Sequence, residues 1–383
     1  MKISDIIDFN DYTVKWDEVA KIKEFKILQE TEQTPIWHAE GVVWNHLQRV
    51  VDEMYKLVPY DGENDLYRLI MVLSALFHDI GKGETTFFSE EKQDWSSPKH
   101  DKAGEHITRR LLWDADFIVR ESVCYFVRNH MKPLYISESH NKLYDVVFLS
   151  HDSCNLKYCT NENLIKMKEA DCRGSIMMKE DGWQDKLEYA RMLCQEQNCY
   201  TQPYPFKNEM SKFRYFNERT TEYPVELYDD TEFTAYVMVG LPGSGKSTIA
   251  TTHPLLKKLP IVSRDTIREE LKLIKKGVKA KLSKKDESAV TERETSMIKG
   301  YCAKKCSFVV DNINIRKVFR NMLVEMVREY NGRVVFIYVE QPTLQDNINN
   351  RKDDISKDTF INLVESMSFP SPTDCFDFIV CKL

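Results

Sequence analysis

Gly240 and Gly245 bracket four residues ahead of Lys246 and Ser247 in the stretch VGLPGSGKST. This is the full G-x-x-x-x-G-K-[ST] pattern, set between a strand-like run and a helix-like one. Gly240, Gly243 and Gly245 let the backbone curl around Ser244 until several N–H groups point inward. The helix that opens at Lys246, Ser247 and Thr248 adds partial positive charge. Such a loop cradles the phosphates of a nucleoside triphosphate, ATP or another. Lys246 reaches the β- and γ-phosphates, and the Ser247 hydroxyl ligates Mg²⁺.

The neighbouring residues say what the phosphate is for. In VSRDTIREE, Asp265 follows the second strand-like run, where side chains overhang the phosphates in a sheet of this class. An aspartate there can take the proton of an attacking hydroxyl. Arg268 lies one helical step further on the same side, with a planar fork suited to an acceptor phosphate. Asp311, at the end of FVVDNIN, is a candidate magnesium or acceptor contact. Arg351, in NINNRKDD, stands where a helical lid would bring a cation over the γ-phosphate. From Lys257 to Lys285 there are eleven Lys or Arg against three acids, a net +8 in a chain of net −6. A strip of that density can neutralise several backbone phosphates of a nucleic acid, RNA or DNA.

A second group of reactive residues lies far upstream. LSALFHDIGKGETT sets His78 beside Asp79 at the end of an apolar run. WHAEGVVWNH adds His38 and His46, SSPKHDKAGEH adds His100 and His106, VRNHMKP adds His130, and FLSHDSCNL adds His151 and Asp152. With His78 these are seven of the nine histidines, more imidazoles than a helical core needs. Mixed histidine and carboxylate ligands suit one or two ions of Mn, Fe, Co, Ni or Zn and leave positions open for water. Water on such a metal has a pKa near ~7 and attacks phosphate esters at neutral pH. Lys82, one turn after the doublet, can hold a phosphate oxygen. His106, His140 and His151 read as structural or exposed.

The surrounding pattern predicts the elements that must hold these groups. Residues 35–200 read as helix after helix: VVWNHLQRVVDEMYKLV is apolar at three- and four-residue spacing, and NDLYRLIMVLSALFHD is apolar nearly all round, as a buried helix is. Prolines, aromatics and charges without period mark 200–231 as a linker or docking segment. Beyond it, FTAYVMVG, LPIVSRD, SFVVDN, RVVFIYVE and FDFIVCKL alternate with helical segments, which predicts a parallel sheet. The expected division is 1–199, an all-α bundle, 200–231, and 232–383, an α/β P-loop domain with a helical lid. The 42% hydrophobic and 30% charged residues are those of a soluble globular chain. No secretory signal and no membrane span are expected, and the ten cysteines are scattered without CxxC pairs. A cytoplasmic protein with reduced thiols is expected.

The run GLPGSGKST, SRDTIR, DNIN and a lid arginine resembles the 5′-hydroxyl polynucleotide kinase domain of RNA-repair enzymes, over roughly 232–383. The resemblance implies Asp265 as general base, Arg268 on the 3′-phosphate of the terminal nucleotide, and Lys246 and Ser247 on donor and metal. It departs at Ile355, where the family often has a second lid arginine, and in its DNIN run. The order His, His-Asp, His, His, Asp resembles the HD phosphohydrolases, all-helical enzymes with one or two metals, and HAEGVVWNH, HDIGKG, KHDKAGEH and RNHM resemble the HD domains of bacterial tRNA nucleotidyltransferases. That likeness implies His46, His78 and Asp79 as first ligands, with His38 a nearby extra. His100 and His130 would serve a second metal or the substrate. Asp152 is expected to close the first site, with Asp171 in KEADCRGS its competitor. In order, the two halves resemble the bacterial HD-polynucleotide kinase family, which heals broken nucleic-acid ends. It implies 2′,3′-phosphoesterase and 5′-kinase activities and, since no ligase lysine motif is evident, a separate polynucleotide ligase. A small-molecule kinase fused to a nucleotidase, or a nucleotide-sensing phosphohydrolase, is compatible with the same motifs.

Overall fold

The computed structural model describes residues 1–152, 156–179, 181–218, 224–274, 282–351 and 356–382. They form two compact units, Met1–Pro205 and Phe206–Leu383. Among the described residues no helix is long and apolar enough to cross a membrane.

The first unit is built on seven principal helices: α1 (Val43–Leu57), α2 (Asp65–Phe77), α3 (His100–Leu111), α4 (Phe117–Asn129), α5 (Lys142–His151), α6 (Asn161–Gly174) and α7 (Trp183–Glu196). α2 is buried at every position from Arg68 to Phe77, as its all-round apolar sequence requires, and forms the centre of the bundle. α1 turns a single stripe inward, Val43, Leu47, Val50, Val51 and Met54, with His46 on the same face.

Three glycines set how closely the helices approach. A Cβ on Gly174 would stand 2.9 Å from the Val50 backbone, so α6 can lie directly against α1. A Cβ on Gly81 would run into the His100 carbonyl, and one on Gly104 would stand 2.9 Å from Val127 Cγ1. The turn after the doublet, α3 and α4 are thereby drawn together. The all-α expectation needs one correction. Ile7–Asp8 pairs antiparallel with Thr13–Val14, and Phe87–Ser89 with Asp94–Ser96. In the second hairpin Phe88 and Trp95 meet edge to face across the register, a cross-strand pair that favours extended backbone over helix.

The second unit begins with α8 (Glu209–Asn217), in which Phe213 stacks on Phe376 at 4.1 Å and Lys212 donates to the Phe376 carbonyl at 3.0 Å. This part of the 200–231 stretch therefore packs into the second unit's own core. The remaining order is β1 (Phe233–Val239), α9 (Lys246–Thr252), β2 (Ile261–Ser263), α10 (Arg264–Glu270), α11 (Lys284–Ala303), β3 (Phe308–Asp311), α12 (Lys317–Arg328), β4 (Gly332–Glu340), α13 (Leu344–Asn349), α14 (Lys357–Glu365) and β5 (Asp377–Lys382). The sheet order is β2-β3-β1-β4-β5, with every pair parallel, as the alternation of strand-like and helical runs predicts. β4 is buried at all but one position, the near-continuous burial of a strand covered on both faces. Ser263 pairs with Asp311, so the carboxyl ends of β2 and β3 finish side by side next to the loop after β1. In open α/β sheets, that edge is where ligands bind.

Candidate metal centre and phosphate-binding loop

Four imidazoles meet in the first unit, each delivered by a helix or its end. His46 lies in α1, His78 caps the end of α2, His100 opens α3 and His130 caps the end of α4. Three share one local device: Nδ1 of His78, His100 and His130 lies 2.8 Å from the carbonyl three residues earlier, at Ala75, Ser97 and Val127 respectively. Nδ1 of His46 lies 2.9 Å from the Glu40 carboxylate. Since each Nδ1 faces an acceptor, it carries the ring proton, and each Nε2 is left with a lone pair.

Those lone pairs converge. The Nε2 atoms of His46 and His78 are 3.3 Å apart, as are those of His100 and His130. Asp79 serves both pairs, Oδ2 at 3.4 Å from His78 and 3.7 Å from His46, and Oδ1 at 3.4 Å from His100 and 3.7 Å from His130. Asp171 Oδ1 joins the first pair at 3.1 Å from His46 and 3.8 Å from His78. Acceptors pointed at acceptors, almost without exposure, repel unless a cation lies between them. Ligand atoms about 2.1 Å from one ion stand roughly 3.0–3.4 Å apart at octahedral to tetrahedral angles, close to the spacing here. The residues therefore fit a metal pair. His46, His78, Asp79 and Asp171 would hold one ion and His100, His130 and Asp79 the other, with imidazole and carboxylate donors that suit Mn, Fe, Co, Ni or Zn.

The electrostatics agree. Burial pushes the Asp79 carboxyl up, but Lys82 and His78 more than reverse it, and it stays well below the usual carboxylate range. Asp171 is held down in the same way, chiefly by Lys168 against burial. Burial lowers His46, yet Asp171 and Glu40 on its two sides raise it overall, as expected at a position built for positive charge. Burial carries His130 well below its ordinary value, with His78 and His100 adding to the effect.

Asp152 needs correction. It caps the end of α5, where its charge acts on Tyr125 and Lys132, whereas Asp171 is the carboxylate beside His46 and His78. Asp171 stands in the position where a closing ligand would lie, because the Gly174–Val50 contact lays α6 on α1. Lys82 is buried in the cleft, with Nζ 2.7 Å from Asp79 Oδ2 and 2.8 Å from Gln33 Oε1. Sequence reasoning missed two residues. Lys168 donates to Asp171 Oδ2 at 2.6 Å, a pair visible as lysine and aspartate three apart on one helix. Glu40 accepts from His38 and His46 through Oε1, at 3.0 and 2.9 Å, and from the Ile176 N–H through Oε2 at 2.8 Å. It stands inside the quoted HAEGVVWNH run. Burial, with the Lys82 charge adding, pushes His38 down to about 4. His151 is structural, its Nε2 2.9 Å from the Tyr204 carbonyl. The cleft encloses about 350 Å³ between Asp79, Lys82, His100, His130, Lys168 and Asp171.

In the second unit the loop Gly240–Gly245 has the curl its glycines suggest, with φ of +150°, +75° and +93° at Gly240, Gly243 and Gly245. A Cβ on Gly243 would run into the Asn347 carbonyl and stand 3.1 Å from Arg351 Cγ, which places Arg351 beside the loop. Asn347 donates to the Pro242 carbonyl and Gln341 to that of Ser244, so the loop is braced from the β4–α13 side. Lys246 Nζ lies among loop oxygens, 3.0 Å from the Gly240 carbonyl, 2.7 Å from that of Leu241 and 3.4 Å from Ser244 Oγ. The Ser247 hydroxyl donates to Asp311 Oδ2 at 2.6 Å. A hydroxyl and a carboxylate side by side at a strand end form an oxygen donor set that fits Mg²⁺. Thr248, one residue on in α9, accepts from Thr252 through its carbonyl.

Asp265 and Arg268 are brought together at the start of α10, with Arg268 NH1 2.7 Å from Asp265 Oδ1. The rest of the Arg268 fork is held by Glu287 of α11 at 3.0–3.2 Å, a residue the motifs did not single out. Arg264 binds Glu287 at 2.7 Å and Glu294 at 2.6 Å. Two cations of the expected basic strip are thus countered by acids of α11. Its centre, residues 275–281, and Ile355 lie outside the described residues.

Residues 43–176 match the family model described as HD domain, and residues 236–366 the model described as AAA domain. The first span contains His46, the doublet, His100, His130 and Asp171. Among solved structures, a sugar kinase from a Janibacter species is similar at 17% identity, covering 40% of this chain and 85% of its own, with a TM-score of 0.27. A gluconokinase from Sinorhizobium meliloti is similar at 16% identity over 41% of this chain and 84% of its own, with a TM-score of 0.28. The comparison with curated proteins gives no match. The chain carries a metal-binding HD domain followed by a P-loop domain.

Proposed function

We propose that the chain heals broken nucleic-acid ends. The first half would act as a metal-dependent 2′,3′-cyclic phosphodiesterase and 3′(2′)-phosphatase. The second would act as a nucleoside-triphosphate-dependent 5′-hydroxyl polynucleotide kinase. The observation that carries this reading is the presence, in one chain, of a lysine-flanked metal cleft and a P-loop whose neighbouring strand end presents an aspartate and an arginine. One half can remove phosphate and the other can add it. On a single small metabolite these reactions oppose each other, whereas on a broken strand they act on different ends and leave the 3′-hydroxyl and 5′-phosphate that a separate ligase needs.

When bound, the metals of the first cleft supply Lewis acidity toward a phosphoryl group and a nucleophile at neutral pH. Lys82 and Lys168 present ammonium groups on either side to the ester's remaining oxygens. In the second half Lys246 would leave the loop carbonyls for the β- and γ-phosphates, and Ser247 with Asp311 would hold Mg²⁺. Asp265 takes the proton of the 5′-hydroxyl, and Arg351 covers the γ-phosphate. Arg268 exchanges Glu287 for the acceptor's phosphate.

Reciprocal variants test the assignment. Asp265→Ala should abolish transfer of the γ-phosphate to a 5′-hydroxyl oligonucleotide and leave metal-dependent hydrolysis of a 2′,3′-cyclic end intact. Asp79→Ala should do the reverse. Survival of both activities in both variants, or preferred phosphorylation of a free nucleoside or sugar, refutes the proposal.

A further inference from the structure

The lining of the metal cleft falls into a buried, charged part and an exposed, apolar one. Asp79, His130 and Asp171 are almost wholly buried, whereas Trp37, which lines the same space with Leu134 and Met177, is 37% exposed. The segment that carries Trp37 is nonetheless fixed on both sides. The Trp37 and His38 N–H groups donate to the Thr34 carbonyl at 3.3 and 3.0 Å, and the Thr34 hydroxyl donates to the Asp94 carboxylate. Ala39 donates to the Ile176 carbonyl at 2.8 Å, and Met178 to the Ile36 carbonyl at 3.0 Å. Trp37 also adjoins His38, whose ring centre lies 4.6 Å from that of His46 in the first ligand set.

Among the described residues no second ring and no cation packs on the indole. A large aromatic surface held in place at the edge of a site, and left uncovered, is a stacking platform that needs little further ordering to engage a flat partner. The rest of the cleft says what carries that partner. Lys82 and Lys168, with the residues that fit the metals, are suited to a phosphoryl group. In a nucleotide the base stands one ribose away from that phosphate and is uncharged at neutral pH. The two acids of the exposed part, Glu138 and Asp181, do not oppose it, and Lys186 counters both, 3.1 Å from Glu138 and within the field of Asp181.

We infer that Trp37 is a specificity-determining residue of the first half, whose indole stacks on the base of the terminal nucleotide while the phosphate of that nucleotide lies at the metals. The inference rests on the reading of this half as a phosphoesterase of nucleic-acid 3′ ends. It adds that the half recognises a nucleoside and not a phosphate ester alone. Every base has a face that can stack, so the selection is for a base over none.

The test compares adenosine 2′,3′-cyclic phosphate with methyl riboside 2,3-cyclic phosphate, in which a methoxy group replaces the base, using the full chain and Mn²⁺. One stacked base is worth roughly a 5- to 150-fold gain, so kcat/KM for the nucleotide should exceed that for the base-free ester by that factor. Trp37→Leu should bring the ratio of the two close to one, chiefly by raising KM for the nucleotide, and Trp37→Phe should keep part of it. A second readout needs no turnover: adenosine 2′-phosphate should quench tryptophan fluorescence in the unaltered protein and lose that effect in Trp37→Leu. Equal kcat/KM for the two esters in the unaltered protein overturns the stacking role while the phosphoesterase reading stands. A base preference that survives Trp37→Leu, or the absence of quenching in the unaltered protein, overturns the assignment to Trp37. A Trp37→Leu variant that weakens both esters by one factor overturns it as well, since that marks a packing role. Hydrolysis of neither ester overturns the phosphoesterase reading and the inference together.

Discussion

Replacing Glu40 by glutamine removes one charge and one acceptor from the residue behind His46. Glu40 receives three N–H groups, with His38 and His46 sharing Oε1 and Ile176 on Oε2. Burial pushes its carboxyl up, but the two imidazoles and the Ile176 amide more than reverse this and hold it below the usual range. Glutamine has a single acceptor oxygen. If that oxygen faces the imidazoles, its NH₂ meets the Ile176 N–H donor to donor, at a cost of about 1–3 kcal/mol for the unsatisfied group. If the amide turns round, its NH₂ faces His46 Nδ1 and drives the ring proton to Nε2, which removes the lone pair from the His46–His78–Asp171 cluster. The first orientation costs less, because it preserves two hydrogen bonds. His46 then keeps its acceptor but loses the carboxylate's charge, so the weakening should reach at most the 10- to 100-fold typical of losing a group that orients a metal-binding imidazole, about 1.4–2.8 kcal/mol. Calorimetric titration with Mn²⁺ should show that weakening for one of two ions, with His100→Ala as the reference for the other set. Unchanged affinity in Glu40→Gln, or equal weakening of both ions, refutes the assignment of Glu40 to the His46 set and of Nδ1 as its proton-bearing nitrogen.

Glu121, buried between Arg109 at 2.9–3.2 Å and Arg120 at 2.7 Å, should prove structural: Glu121→Gln leaves two buried guanidiniums short of a countercharge and should cost about 3–5 kcal/mol in chemical denaturation. Burial raises its carboxyl, but Arg109 and Arg120 bring it below the ordinary 4.5. The unfolded chain therefore takes up the proton first, so this stabilisation is complete above about pH 4.5 and is lost as pH falls through the folded value. Thermal melts should decline below that pH, and less steeply in Glu121→Gln. Gly174→Ala sets a Cβ 2.6 Å from Val50 Cγ2 and 2.9 Å from its Cα, so α1 and α6 must part. A loss of about 1–3 kcal/mol is expected, together with weaker binding of the ion held by His46 and Asp171 in the same metal titration. Gly243→Ala places a side chain at φ +75° and against the Asn347 carbonyl. Binding of a fluorescent ATP analogue should be lost, with phosphoester hydrolysis by the first half unaffected.

The P-loop was legible because its requirement is local: positive φ at three glycines, then a helix start, within nine residues. The parallel sheet was legible for a related reason, since strands buried on both faces must be continuously apolar. His78, Asp79, His100 and His130 were also within reach, because each sits at a helix end that a short motif marks. The choice between Asp152 and Asp171 was not local. Both are plausible by linear spacing, and only the close crossing permitted by Gly174 at Val50 brings the second one beside His46. Glu287 was hidden for the same reason, because nothing in α10 announces which acid of α11 will face Arg268. Glu40 and Lys168 could have been found from spacing, the first in His-x-Glu ahead of the His46 helix, the second as a lysine three residues before Asp171.

In both halves the cations assigned to phosphate on the proposed reading rest on carboxylates. In the first, Lys82 rests on Asp79 Oδ2 and Lys168 on Asp171 Oδ2, each carboxylate keeping its other oxygen toward an imidazole. Two divalent ions with these two lysines, set against Asp79, Asp171 and Glu40, would leave this set with about three net positive charges, so on the proposed reading an anionic ester would enter with a Coulombic gain. A neutral ester of the same shape forgoes that gain. In the second half Arg264 and Arg268 rest on Glu287 and Glu294, which are themselves partly exposed. On the proposed reading an incoming acceptor phosphate would have to compete with Glu287 for one planar fork, and only a group that engages the fork in bidentate fashion, as a phosphate can, would replace what is lost. On that reading selection in the cleft would rest on total charge and selection beside the P-loop on the geometry of exchange, and the two sites should respond differently to salt. Raising ionic strength screens the partly exposed Arg268–Glu287 pair and its competitor alike, while the buried lysine–carboxylate pairs of the cleft are screened much less.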